Sequence, residues 1–169
     1  MKDSLIAAVI TISDRSFQGV YADQTGPAVC QLLSENQWQI IRTSLLPDEK
    51  TQIEKELLKC CDDLMIPLVI TAGGTGFSPR DVTPEATRSV IEKEASGLVI
   101  AMVQASLTQT PHAMLSRQVA GIRGNSLIVN LPGSPAAACE NLAILLPALP
   151  HAISLIRSEP DSEKGHHSK

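Results

Sequence analysis

Gly73, Gly74 and Gly76, with Thr75 among them, put three glycines in four positions just after the apolar run Ile66 to Ile70. Glycine permits backbone angles barred to other residues and lets a ligand approach the chain closely. Successive backbone N–H groups in such a loop suit phosphate oxygens. The loop is not a Walker A, because no G-K-[ST] ends it, and it is not G-x-G-x-x-G either. Taken alone, GGTG also reads as a tight connection, since glycine is a common turn residue. Asp81 tips the balance. Thr83 reads as the N-cap of the next helix, with Pro84 and Glu85 in its first turn, which leaves Asp81 surplus. A carboxylate beside a phosphate site calls for a cation between them, and Mg²⁺ is typically held by one or two carboxylates plus substrate phosphates.

Three other stretches carry polar side chains where apolar runs end. Ser13-Asp14-Arg15 closes the run Leu5 to Ile12, and as a bare feature it reads as an Asp turn. Asp48 follows the run Trp38 to Leu46 and reads locally as a helix cap. Asn130-Leu131-Pro132-Gly133-Ser134 is a second small-residue loop opening a helix. Ser116 and Arg117 read locally as strand surface.

The stretch GGTGFSPRDVTPEAT resembles the signature of the MogA/MoaB family of molybdenum cofactor biosynthesis proteins, and in detail that of gephyrin-type G domains. TISDR (11–15), LPDE (46–49), LSR (115–117), GIRG (121–124) and NLPGS (130–134) agree in order, so the resemblance runs from about Ile6 to Ile156. It implies a molybdopterin adenylyltransferase that moves AMP from ATP to the terminal phosphate of molybdopterin, with Mg²⁺. It implies that Asp48 and Asp81 are catalytic and hold the metal, reversing the local reading of Asp48. Gly73, Gly74, Thr75 and Gly76 would bind phosphate. Ser13, Asp14, Ser116 and Arg117 would meet the pterin and its phosphate, and Asn130, Pro132, Gly133 and Ser134 the nucleotide end. A homotrimer and hand-over to a molybdenum-insertion protein are further implications. The alternative is a non-catalytic molybdopterin-binding or trimeric scaffold module of the MoaB or gephyrin type.

Composition narrows the classes independently. The chain has 169 residues, 43% of them hydrophobic, and a formal net charge of −4 with no basic block. Non-specific binding to nucleic acid or a membrane surface is not indicated. Phe17, Tyr21, Trp38 and Phe77 are the only aromatics, too few for a base-stacking platform. No segment has the length of a membrane span or the layout of a signal peptide, so a cytoplasmic protein is expected. Cys30, Cys60, Cys61 and Cys139 form no C-x-x-C pair and read as reduced packing residues.

The elements that must position these residues follow from periodicity. Strands are expected over Leu5–Ile12, Trp38–Leu46, Ile66–Ile70, Met114–Ile122 and Ser126–Leu131. Helices are expected from Thr25, from Asp48 to about Met65, over Thr83–Ala95 with Gly97 marking the end, over Leu98–Leu107, and from Pro135 with breaks at Pro147 and Pro150. The alternation gives a three-layer α/β/α sandwich whose mostly parallel sheet contains one antiparallel strand. Residues 1–157 are read as one domain and 158–169 as a disordered polar tail. The nearly all-apolar Leu98–Leu107 requires either deep burial or a subunit contact.

Overall fold

The computed structural model describes residues 5–158, and all but the first position of the expected tail lies outside them. The elements are β1 (Ile6–Ile12), α1 (Asp14–Phe17), α2 (Thr25–Glu35), β2 (Gln39–Leu46), α3 (Lys50–Leu58), β3 (Leu68–Ala72), α4 (Thr83–Val90), β4 (Lys93–Glu94), α5 (Ser96–Leu107), β5 (Ala120–Arg123), β6 (Ser126–Leu131), α6 (Pro135–Leu145) and α7 (Leu149–Ile156). The six strands form one sheet in the order β2-β1-β3-β6-β5-β4. β1, β2, β3 and β6 run parallel, while β5 is antiparallel to both β6 and β4.

Alternation along β1 explains the three layers. Ala7 and Val9 face one side, and Ala8, Ile10 and Ile12 face the other. The first set joins α2, α5, α6 and α7 in one aliphatic core. The second joins α3, α4, Cys60 and Cys61 in another. The central strands are buried on both faces, which is why they read as continuous apolar runs. The loop after β3 crosses to the α4 side, whereas those after β1 and β6 lead to the α2 and α6 side. Where neighbouring strands send their loops to opposite faces, a crevice opens at their carboxyl ends.

Several local expectations are corrected. α4 stops at Val90 because Ile91 is extended (φ −74°, ψ 151°), and Glu92 and Ala95 instead donate to Ile122 and Ala120 of β5. Gly97 therefore lies inside α5. Residues Pro111–Leu115 form a 3₁₀ turn, capped by Thr110 Oγ1 accepting from His112 N at 3.2 Å, so the strand begins only at Ala120. α3 passes into a π-helical turn, Lys59–Asp63, with both Cys60 and Cys61 buried, and Leu64 is exposed. Pro150 does not break a helix but sits in the first turn of α7, where a missing N–H costs nothing. In α5 only Met102 is buried, while Ile100 and Leu107 lie open to solvent in this single chain. No single helix among the described residues is long and apolar enough to cross a membrane.

Candidate active site

The glycine loop is wedged between the exits of β1 and β6. Gly73 (φ +108°) donates its N–H to Leu131 O at 3.1 Å, and a Cβ there would lie 2.1 Å from Ile12 O. Gly74 is also left-handed (φ +64°). Thr83 ties the loop from beneath: its hydroxyl donates to Gly73 O at 2.9 Å and its N–H to Gly74 O at 3.1 Å. The expected capping role of Thr83 is thus wrong. Val82 occupies the N-cap without a side-chain bond, and Thr83 and Pro84 are the first helical residues. The amides of Gly74, Thr75 and Gly76 take no part in the backbone hydrogen bonds that hold the loop.

The carboxylates border this loop. Asp48 does not cap α3, where Glu49 holds the N-cap position without a side-chain bond. Asp48 Oδ2 instead accepts from Asp14 N, and Asp48 N donates to Asp14 Oδ1, each at 2.9 Å. Arg80 donates to both Asp14 oxygens at 2.9 and 3.1 Å and to Glu49 at 2.8 Å. The Arg80 guanidinium holds the Asp14 carboxyl below the usual range. Burial, reinforced by the charges of Asp14 and Asp81, pushes Asp48 up. Asp48 Oδ1 is buried with no hydrogen-bond partner. It would lie 2.8 Å from a Cβ at Gly74, and Asp81 Oδ2 would lie 2.9 Å from a Cβ at Gly76. Asp81 Oδ2 accepts from Ser78 N at 3.0 Å. Among the described residues no group of three or more His, Cys, Asp or Glu side chains is arranged around a metal. An orphaned carboxylate oxygen beside a phosphate-type loop does fit the sparse protein share of a Mg²⁺ site.

Two clefts open at this edge. One, of about 470 Å³, is lined by Gly74, Thr75, Gly76, Asp81, Ser116 and Pro132, with α5 and α6 opposite. Ser116 Oγ is buried there with no partner. The other, of about 410 Å³, is lined by Ser13, Asp23, Thr25, Ala72 and Ser134 among others. Gly133 borders both. Ser13 and Ser134 also cap α1 and α6, each accepting an amide at 3.2 Å.

Five of the expected site residues, Asp14, Asp48, Gly73, Asn130 and Arg117, line neither cleft. Asn130 is fully buried, donating to Thr71 and Thr87 hydroxyls at 2.8 Å and accepting from Val119 N at 3.1 Å. It knits β3, α4 and β6 together and lines neither cleft. Arg117 is bonded to the loop itself and lines neither cleft. Sequence reasoning missed Asp23, Thr25 and Arg80. Asp23 Oδ1 accepts from Thr25 N and Gly26 N at 2.9 and 3.0 Å, and Thr25 Oγ1 donates to Gly133 O at 2.7 Å. The Asp-x-Thr-Gly spacing before a helix was the available signal. Arg80 stood in the open, next to Asp81.

Residues 8–151 match the family model described as a probable molybdopterin binding domain. The chain is 45% identical over 150 residues to molybdopterin adenylyltransferase of Helicobacter pylori, covering 88% of this chain and 85% of that one. It is 43% identical to gephyrin of Dictyostelium discoideum, over 99% of this chain but only 25% of the relative, so it spans about a quarter of that protein. Among solved structures it superposes on the molybdopterin biosynthesis enzyme MoaB of Thermus thermophilus with a TM-score of 0.87, at 43% identity, covering 92% of this chain and 98% of that one.

Proposed function

The chain belongs to the molybdopterin-binding domain family, and from that membership we propose that it is a molybdopterin adenylyltransferase using ATP and Mg²⁺. The observation that carries the reading is Asp48 Oδ1, buried and without a partner beside the glycine loop. A terminal phosphate oxygen of molybdopterin attacks the α-phosphorus of ATP. The new P–O bond forms as the bond to pyrophosphate breaks, giving adenylyl-molybdopterin and pyrophosphate. Both reactants are anionic, so charge neutralisation and positioning carry most of the catalysis. Mg²⁺, when bound, supplies the neutralising charge, and Asp48 and Asp81 are the residues to hold it. The amides of Gly74, Thr75 and Gly76 receive phosphate oxygens. The first turn of α6, opened by Ser134, adds a positive helix end beside Gly133. Because Gly133 borders both clefts, two substrates seated in them meet at one point.

The protein is proposed to act in the cytoplasm as a homotrimer and to pass its product to the metal-insertion step. A second reading, a molybdopterin-binding or scaffold module without turnover, draws on the gephyrin relative. A mass spectrum taken after incubation with molybdopterin, ATP and Mg²⁺ separates the two. The transferase yields adenylyl-molybdopterin. Molybdopterin that binds and returns unmodified overturns the transferase reading in favour of the module.

A further inference from the structure

We infer that Arg117 is a positioning residue for the glycine loop and Asp81, and that it does not contact a substrate phosphate. Its backbone N–H donates to Thr75 O at 2.8 Å. Its Nε donates to Gly76 O and its Nη2 to Asp81 O, both at 2.8 Å. Nη1 pairs with the Glu85 carboxylate. One planar cation therefore closes the excursion 76–81 at both ends and anchors it to α4. A flexible point charge such as lysine cannot span those three acceptors in one plane.

This clamp has two consequences. In a trans peptide the carbonyl of one residue and the amide of the next point in opposite directions. With Thr75 O and Gly76 O turned onto Arg117, the amides of Gly76 and Phe77 turn away from it. Gly76 and Asp81 line the larger cleft and Arg117 does not, so Arg117 stands behind the loop. The second consequence concerns Asp81. Its carbonyl is pinned by Nη2 while its carboxylate lies against Gly76, so the guanidinium fixes where that carboxylate sits.

The kinetic part of the test rests on the transferase reading, and a second measurement does not. Arg117→Lys and Arg117→Ala are compared with the wild-type chain. A displaced loop costs on the order of 100-fold in kcat/KM, and the two variants lose equally because lysine lacks the fork. Hydrogen exchange is followed in the ligand-free proteins at the Ser78 and Asp81 amides, bonded to each other's residue within this segment, and at the Thr83 amide, which bonds to Gly74 O across its base. Exchange there rises by about 10-fold in both variants, an opening of about 1.4 kcal/mol, while amides of β1 keep their protection. If Arg117→Ala fails to fold, Arg117→Lys and Glu85→Gln carry the same comparison. A lysine variant with near-normal kcat/KM returns Arg117 to direct phosphate contact. Unchanged exchange in the folded variants overturns the clamp. Absence of product from the wild-type chain removes the transferase reading, and exchange alone then decides the role of Arg117.

Discussion

Asp14 and Asp48 hold each other by two reciprocal bonds, each backbone N–H donating to the other's carboxylate at 2.9 Å. The pairing leaves the two side chains in different states. Both oxygens of Asp14 have partners, since Arg80 engages each of them. Asp48 keeps one buried oxygen that nothing in the protein satisfies. A buried carboxylate oxygen of this kind is costly unless a ligand completes it.

Asp48→Asn and Asp81→Asn are expected to retain the fold, because an amide oxygen can still accept from Asp14 N or Ser78 N. Each should change stability by about 0.5 kcal/mol or less. If the carboxylates hold Mg²⁺, each variant should lose adenylylation by about 100-fold or more, the scale of removing one electrostatic stabiliser. Molybdopterin binding should survive, since that ligand does not need the nucleotide's metal. Single-turnover product formation, a melting curve and a pterin titration measure the three quantities. Near-normal turnover in both variants would leave the carboxylates a purely structural role.

Gly74→Val is expected to damage stability as well as binding. At φ +64° a β-branched residue is a genuine outlier, and a Cβ would meet Thr83 Oγ1 at 2.4 Å. The combined backbone and steric cost should reach roughly 3 kcal/mol, read as a shift of the urea midpoint. A variant as stable as the wild-type chain would contradict the left-handed loop.

The open apolar face of α5 leads to an assembly prediction. Light scattering should give about three times the 18.0 kDa chain mass. Ile100 is 54% exposed, and Ile100→Glu should return the mass toward that of one chain. A monomeric wild-type protein at micromolar concentration would remove the trimer.

Glu56 sets an acid limit on stability. Burial alone would raise its pKa, but hydrogen bonds from Arg42 and Ser44 outweigh that and hold it below the ordinary 4.5. A folded pKa below the unfolded one means the contribution is complete above 4.5 and fades as pH falls through the folded value. Glu56→Gln should cost up to about 3 kcal/mol at pH 7, since Arg42 keeps some solvent contact. The gap to the wild-type chain should narrow in urea titrations taken below pH 4.5. A gap that stays constant across that window would assign the loss to packing.

The sequence by itself determined the α/β architecture, the antiparallel β5 and the glycine loop at the end of β3. These rest on signals confined to a few neighbouring positions: apolar runs, the Gly124-Asn125 step between β5 and β6, and glycines, which adopt positive φ at least cost. Tertiary structure alone decided where Thr83, Asn130 and Arg117 spend their hydrogen bonds. Each side chain had a sound local role, as cap, loop residue or strand surface. Each was claimed instead by a partner distant in sequence, respectively the Gly73 carbonyl, the Thr71 and Thr87 hydroxyls, and the Gly76 and Asp81 carbonyls. The end of α4 went the same way: Ile91 to Ala95 is helix-compatible locally, but the edge of β5 offered its unpaired backbone groups. Local propensity differs by tenths of a kcal/mol per residue, whereas an unmade buried hydrogen bond costs about 1–3 kcal/mol. Neighbours in space decide whether such a bond is made, which is why the clefts and the clamp behind them became legible only in the folded chain.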